Sequence, residues 1–258
     1  MKKFVSLLTA LTLITAFLSF AACRKNENNE NTEPTSQSYS KSTTLKPVEI
    51  ADIPESTAER VEMLNAALDY IDAYCYKYTK NTKCSVSNVN VGSLSAASNA
   101  VDAFKSIFGQ TDVTYDYDYK TAPESFEENF IKERFSESDV VSTEATQKDN
   151  IISLKITFPT ENNPSDTSGQ LHKLSMEYLS PTAVNDNLNE FASSASSVSI
   201  LASDITVTAS ISSVDSSLKK LVVSYNESFT LSGVKLVQLE GSSVTGTSKT
   251  VETYDGIE

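Results

Sequence analysis

The three cysteines are the residues with the most definite chemistry in this chain. Cys23 follows Phe20-Ala21-Ala22, and the apolar run 4–20 before it is preceded by Lys2 and Lys3. Positive start, apolar middle and small residues before a cysteine are the order of a bacterial export signal with a lipid acceptor. The expected chemistry is transfer of a diacylglyceryl group to the Cys23 thiol, with removal of residues 1–22. An aliphatic side chain is usual three places before such a cysteine, and here Phe20 takes it. The competing readings are an ordinary secretory signal and an uncleaved anchor helix, although a bilayer span needs ~20 apolar residues. Cys75 and Cys84 are the candidate disulfide pair in an exported chain, worth roughly 2–3 kcal/mol for so short a loop. Two reduced thiols are the alternative. No further Cys or His stands near enough in sequence to suggest zinc.

Carboxylates offer less. Asp116 and Asp118 alternate with Tyr115, Tyr117 and Tyr119, which puts both acids on one face of a strand, opposite the tyrosines. They could hold a cation or act as an acid–base pair, but a calcium loop needs more oxygens and a glycine turn. A glycosidase needs two carboxylates at a set separation, and the Trp that often builds its sugar platforms is absent. Outward charges on an edge strand are the simpler expectation. Glu124, Glu127, Glu128 and Glu133 read as a solvated face. The single histidine, His172 in QLHKL, has no G-x-S-x-G serine to serve and reads as solvated or structural. No nucleotide loop or metalloprotease motif is present. No catalytic residue, metal site or cofactor is therefore expected.

A formal charge of −13, deepened by two if the leader goes with Lys2 and Lys3, argues against nucleic-acid partners and against a basic membrane-binding face. Attachment to a membrane would have to come from the lipid. The stretch 24–47, polar and of low complexity, cannot bury enough surface to fold and reads with Cys23 as a tether, roughly 25–30 Å in mean span.

The elements that would position any site lie in 48–258. Ser56 and Glu59 form a capping box after Pro54. The spacing of Val61, Leu64, Leu68, Ile71, Cys75 and Tyr78 predicts a helix buried along a broad face. A second helix is expected over 95–108, closed by Gly109, and a third over 183–195. Period-two alternation over 112–119, 150–158, 203–212 and 218–226, with further strands at 139–145, 229–231, 234–239 and 244–254, predicts an antiparallel meander with one covered face. The class is α+β: one or more meander sheets, curved if they cup a ligand, packed on an N-terminal amphipathic helix and one or two others. The order of elements also allows two similar halves, 48–160 and 161–258.

The segments LNAALDYIDAYCYKY, FSESDVVSTEATQKDNIISLKITF and ITVTASISSVDSSLKKLVVSYNESFTL resemble a group of clostridial-type cell-envelope lipoproteins. That resemblance implies lipid anchor, tether and helix-and-meander units, and brings no catalytic residues. In architecture alone the chain is similar to lipoprotein carriers of the LolA and LppX type, which cup acyl chains in a curved sheet. The functional expectation is a lipid-anchored domain on the extracytoplasmic face of the cell membrane. It would bind an apolar ligand or another envelope protein without catalysis. A cell-wall or glycan hydrolase and a purely structural surface protein are the alternatives.

Overall fold

The computed structural model describes residues 49–258, except 51, 97–99, 176, 191–192, 237–238 and 241–242. The expected leader, Cys23 and tether lie outside the described residues. Among the described residues no helix is long and apolar enough to cross a membrane.

The capping box forms as expected: Glu59 N–H donates to Ser56 Oγ, and Ser56 N–H to the Glu59 carboxylate. It opens helix α1, Thr57–Tyr74, whose buried face is Val61, Leu64, Ala67, Leu68 and Ile71. The helix ends four residues before Tyr78, with Cys75 already extended at ψ 132°. Cys75 and Tyr78 are buried but do not continue the helical stripe. They lead into β1, Lys77–Asn90, which the hydrophobic pattern did not mark.

A 3₁₀ turn at Gly92–Ala96 and α2, Ala100–Ile107, follow, with Gly109 in the left-handed region at φ 73° where the helix closes. Then come β2, Thr111–Asp118; α3, Pro123–Glu128; β3, Ser142–Lys148; and β4, Ile151–Thr157. Next are the short β5, Glu161–Asn162; α4, Gln170–Leu174; and α5, Pro181–Glu190. The remaining strands are β6, Ser193–Ser194; β7, Ser197–Ser212; β8, Leu218–Ser232; β9, Lys235–Leu236; β10, Leu239–Glu240; and β11, Ser243–Asp255.

The α+β class is as the sequence predicts. Eight strands form one antiparallel sheet in the order β2-β1-β11-β8-β7-β4-β3, with β5 added to β7; β10-β9-β6 make a small second sheet. Strands of 48–160 flank both sides of strands of 161–258, so the two ranges interleave in a single sheet. β11 is the join, pairing with β1 from Thr79↔Asp255 to Asn90↔Thr245 and with β8 from Ser243↔Ser232 to Tyr254↔Leu221. On β7 a register shift between Ser203 and Thr206, with Asp204 at φ 52°, moves the buried phase from Ile200 and Ala202 to Ile205, Val207, Ala209 and Ile211. One extra residue of this kind flips the side-chain parity of everything beyond it.

The covered face carries two apolar clusters. The larger holds α1, Tyr78, Tyr254, Phe126, Phe130 and the inner residues of β4, β7 and part of β8. The smaller gathers α2, Val184 and Leu188 of α5, Phe229, Leu231 and Val244. Phe229 stacks on Phe108 with ring centroids 3.5 Å apart. A Cβ at Gly246 would lie 2.3 Å from the Phe229 ring, so only glycine admits that ring beside β11.

Candidate functional site

Between the two clusters the covered face turns polar. Alternation points Ser248, Thr250, Glu252 and Tyr254 of β11 inward, and the same parity on β1 buries Tyr78, Lys80, Thr82 and Cys84. On β8 it buries Tyr225 and Glu227 between Val223 and Phe229. The register sets Thr82 beside Glu252, Cys84 beside Thr250, Thr250 beside Tyr225 and Ser248 beside Glu227. The result is a polar belt across the middle of the sheet. Lys80, Glu227 and Glu252 are 3%, 1% and 0% exposed.

Buried charge needs a partner, and Glu252 has one. Lys80 Nζ lies 2.9 Å from its Oε2, Tyr254 donates to the same oxygen at 2.9 Å, and the Ser175 hydroxyl donates to Oε1. Ser175 Oγ is also 3.1 Å from the Tyr225 hydroxyl and accepts from Glu177 N–H at 3.0 Å. Burial beside Glu252 pushes the Tyr225 and Tyr254 phenols far above the usual tyrosine range, so both stay protonated donors. Glu227 is held differently: Leu179 N–H donates to Oε1 at 2.7 Å and Ser248 Oγ to Oε2 at 2.9 Å. Among the described residues no cation pairs with it. Desolvation pushes its carboxyl up to about 7, only partly offset by those two donors.

Ser175 and residues 177–180 bring the belt to the surface. Ser175 ends α4, its N–H donating to Leu171 O, and Ser180 caps α5 by accepting from Ala183 N–H, with Pro181 in the first helical position. Beside Ser175 opens a cleft of about 370 Å³ between 128–133 and 172–175. Its floor is Phe130, Ile131, Leu174, Ser175 and Tyr254, all buried; Glu128, Lys132, Glu133 and His172 stand exposed around it. Two residues of the polar network, Ser175 and Tyr254, are therefore also cleft-lining residues. Phe130 meets the Tyr254 ring edge-on at 4.9 Å.

The candidate disulfide is overturned. β1 carries Cys84 away from Cys75 along an extended chain at about 3.3 Å per residue, and the two cysteines belong to different apolar clusters. Bonding requires Cα atoms within about 7 Å. The Cys75 thiol donates to Lys77 O at 3.0 Å, and the Cys84 thiol faces Phe108 O at 3.8 Å, its acidity suppressed by burial. Asp116 and Asp118 lie on edge strand β2 and are taken up by β1: Thr79 Oγ1 donates to Asp116 at 2.7 Å, and Lys77 Nζ is 3.5 Å from Asp118. Glu124, Glu127, Glu128 and Glu133 are exposed. His172 is exposed too, with Nδ1 3.3 Å from the Tyr178 hydroxyl. Among the described residues no cluster of His, Cys, Asp or Glu could hold a metal ion.

Sequence reading singled out none of Lys80, Ser175, Glu227 or Glu252. The signal available was parity: each of the three charges sits two residues from an aromatic side chain (Tyr78, Tyr225 or Phe229, Tyr254) and so shares its face. Searches against family models, curated proteins and solved structures find no match for this chain.

Proposed function

We propose that this chain is a lipid-anchored domain of the extracytoplasmic face, tethered through Cys23, with a binding and not a catalytic role. Its ligand site is the cleft between 128–133 and 172–175, and the ligand is a small polar molecule. The observation that carries this reading is the exit of the buried polar network at Ser175 and Tyr254 on the cleft floor. The network fixes Ser175 and the Tyr254 ring in place. The exposed Glu128, Lys132, Glu133 and His172 stand as polar contacts around the cleft, and Phe130, Ile131 and the Tyr254 ring supply apolar surface, the usual composition of a small-molecule site. An acyl ligand has less support. The inner faces of β4, β7 and β8 pack against α1 and its neighbours in the larger cluster, which uses the apolar surface a lipid would need.

A thermal-shift screen of the full-length protein in detergent, with sugars, amino acids and dipeptides as probes, tests the ligand class. A polar compound should raise the melting temperature saturably in the wild type and fail to do so in Ser175→Ala. Saturable binding of a fluorescent fatty acid at one per chain, with no response to polar probes, would reject the polar-ligand reading. Membrane attachment is a separate arm: Cys23→Ala should leave the membrane fraction on fractionation, and a variant that stays there after salt washing would reject the lipid anchor.

A further inference from the structure

Two buried carboxylates fasten Ser175 and residues 177–180 to the sheet. Glu252 takes the Ser175 hydroxyl, and Glu227 takes the Leu179 amide. Resting on the cleft as the binding site, we propose that this segment is a proton-controlled latch on the cleft wall. With Glu227 neutral the latch lies closed, and ionisation of Glu227 releases it.

The asymmetry between the two fasteners carries the argument. Glu252 is neutralised in place by Lys80, so its hold on Ser175 does not require a proton. Glu227 is 1% exposed and sees only neutral donors, Ser248 from β11 and the Leu179 amide from the latch. The other titratable groups around it cannot supply a counter-charge. β1 presents Cys84, β8 presents Tyr225, β11 presents Glu252, the latch itself carries Glu177, and β7 presents Ala202. On the helices packed nearby, Asp186 and Glu190 of α5 and Asp102 of α2 are exposed, and Lys105 of α2 leans to Asp102 at 3.8 Å. An ionised Glu227 therefore gains most by meeting water. Leu179, buried in the smaller cluster, is the part of the latch lying over it. The cleft residues 172–175 precede the latch in the chain, so release at Leu179 frees its far end while Glu252 still holds Ser175.

The sign follows from linkage. In the closed state the Glu227 carboxyl titrates near 7, and in the open state near its ordinary 4.5. Opening thus releases a proton between those two values, is favoured tenfold per pH unit across that window, and levels off above it.

Hydrogen exchange at the Leu179 amide, corrected for intrinsic rate, reads the latch directly in the full-length protein without any ligand. Protection in the wild type should fall about 60-fold from pH 5 to pH 7.5, and in Glu227→Gln it should stay constant within about twofold, since glutamine accepts from Leu179 and never ionises. Constant protection in the wild type, or the same fall in Glu227→Gln, would overturn the proposal. If the variant does not fold, carboxyl ¹³C titration of wild-type Glu227 decides. A midpoint near 7, shared by the Leu179 amide shift, supports the latch, and a midpoint in the ordinary glutamate range rejects it. Because no ligand enters these measurements, the latch can fail while the cleft still binds, and the cleft can fail while the latch still titrates.

Discussion

Two ends of one polar belt solve the same problem in different ways. Glu252 and Glu227 are equally removed from water, on neighbouring strands and facing the same side. At the Glu252 end the solution is a cation: Lys80 at 2.9 Å, with Tyr254 and Ser175 filling the remaining acceptor sites. At the Glu227 end it is a proton, taken up when the medium allows. The first arrangement fixes a geometry. The second makes part of the fold answer to pH. The contrast also explains how the belt can be rigid where it meets the cleft floor and responsive one step away.

The most damaging change should come from breaking the cation end. Lys80→Met leaves Glu252 buried without its partner and should cost about 3–5 kcal/mol in denaturant unfolding, whereas the double variant Lys80→Met/Glu252→Leu should recover most of the loss. A double variant no better than the single one would mean that the ion pair is not what Lys80 supplies. An apolar yardstick is Leu68→Ala, fully buried on α1, for which a loss of about 2–5 kcal/mol is expected from the cavity. An unchanged melt would put α1 outside the cooperative core.

At the proton end the effect depends on pH. A raised carboxyl stabilises the fold fully below about 4.5 and loses that contribution as pH climbs to about 7. Relative to Glu227→Gln, the wild type should lose roughly 3 kcal/mol across this window; parallel stability curves would remove the distinction between the two glutamates. The mildest change is Lys83→Met. Lys83 is three residues from Lys80 on β1, but points outward to Asp112 at 3.1 Å, with both side chains more than half exposed. Solvent and salt screen such a pair, so its melting curve should superpose on the wild type. A large loss there would show that ion pairs on β1 matter regardless of burial.

How much of this was legible in the sequence divides along the same belt. α1 announced itself through Ser56 and Glu59, and β2, β4, β7 and β8 through apolar residues at every second place. β1 did not. Its buried face reads Tyr78, Lys80, Thr82, Cys84, Val86, so the polar residues that make the site erase the hydrophobic period that would have revealed the strand. Tyr78 was instead absorbed into the helical stripe of α1, to which its spacing is equally suited. β11 was recognisable as a strand through its β-branched residues, yet its inner face of Ser248, Thr250 and Glu252 looks like a solvent face until the sheet is closed. The disulfide expectation failed for a related reason: nine residues read as a short loop are short in space only if the chain turns, and here they run straight into β1.

The position of β11 has a consequence in time. Ser87 on β1 meets Thr247 on β11, a partner 160 positions further along the chain. As a chain emerges N-terminus first, β1 can take β2 on one side, but its other side and the inward Lys80 stay in water until β11 arrives. Closing so long a loop carries an entropic cost and slows folding. The sheet therefore cannot be completed piecemeal: its central seam closes last, and the same event withdraws Lys80 and Glu252 from solvent together. Time-resolved labelling during refolding should find protection at β7 and β8 ahead of protection along the seam between β1 and β11.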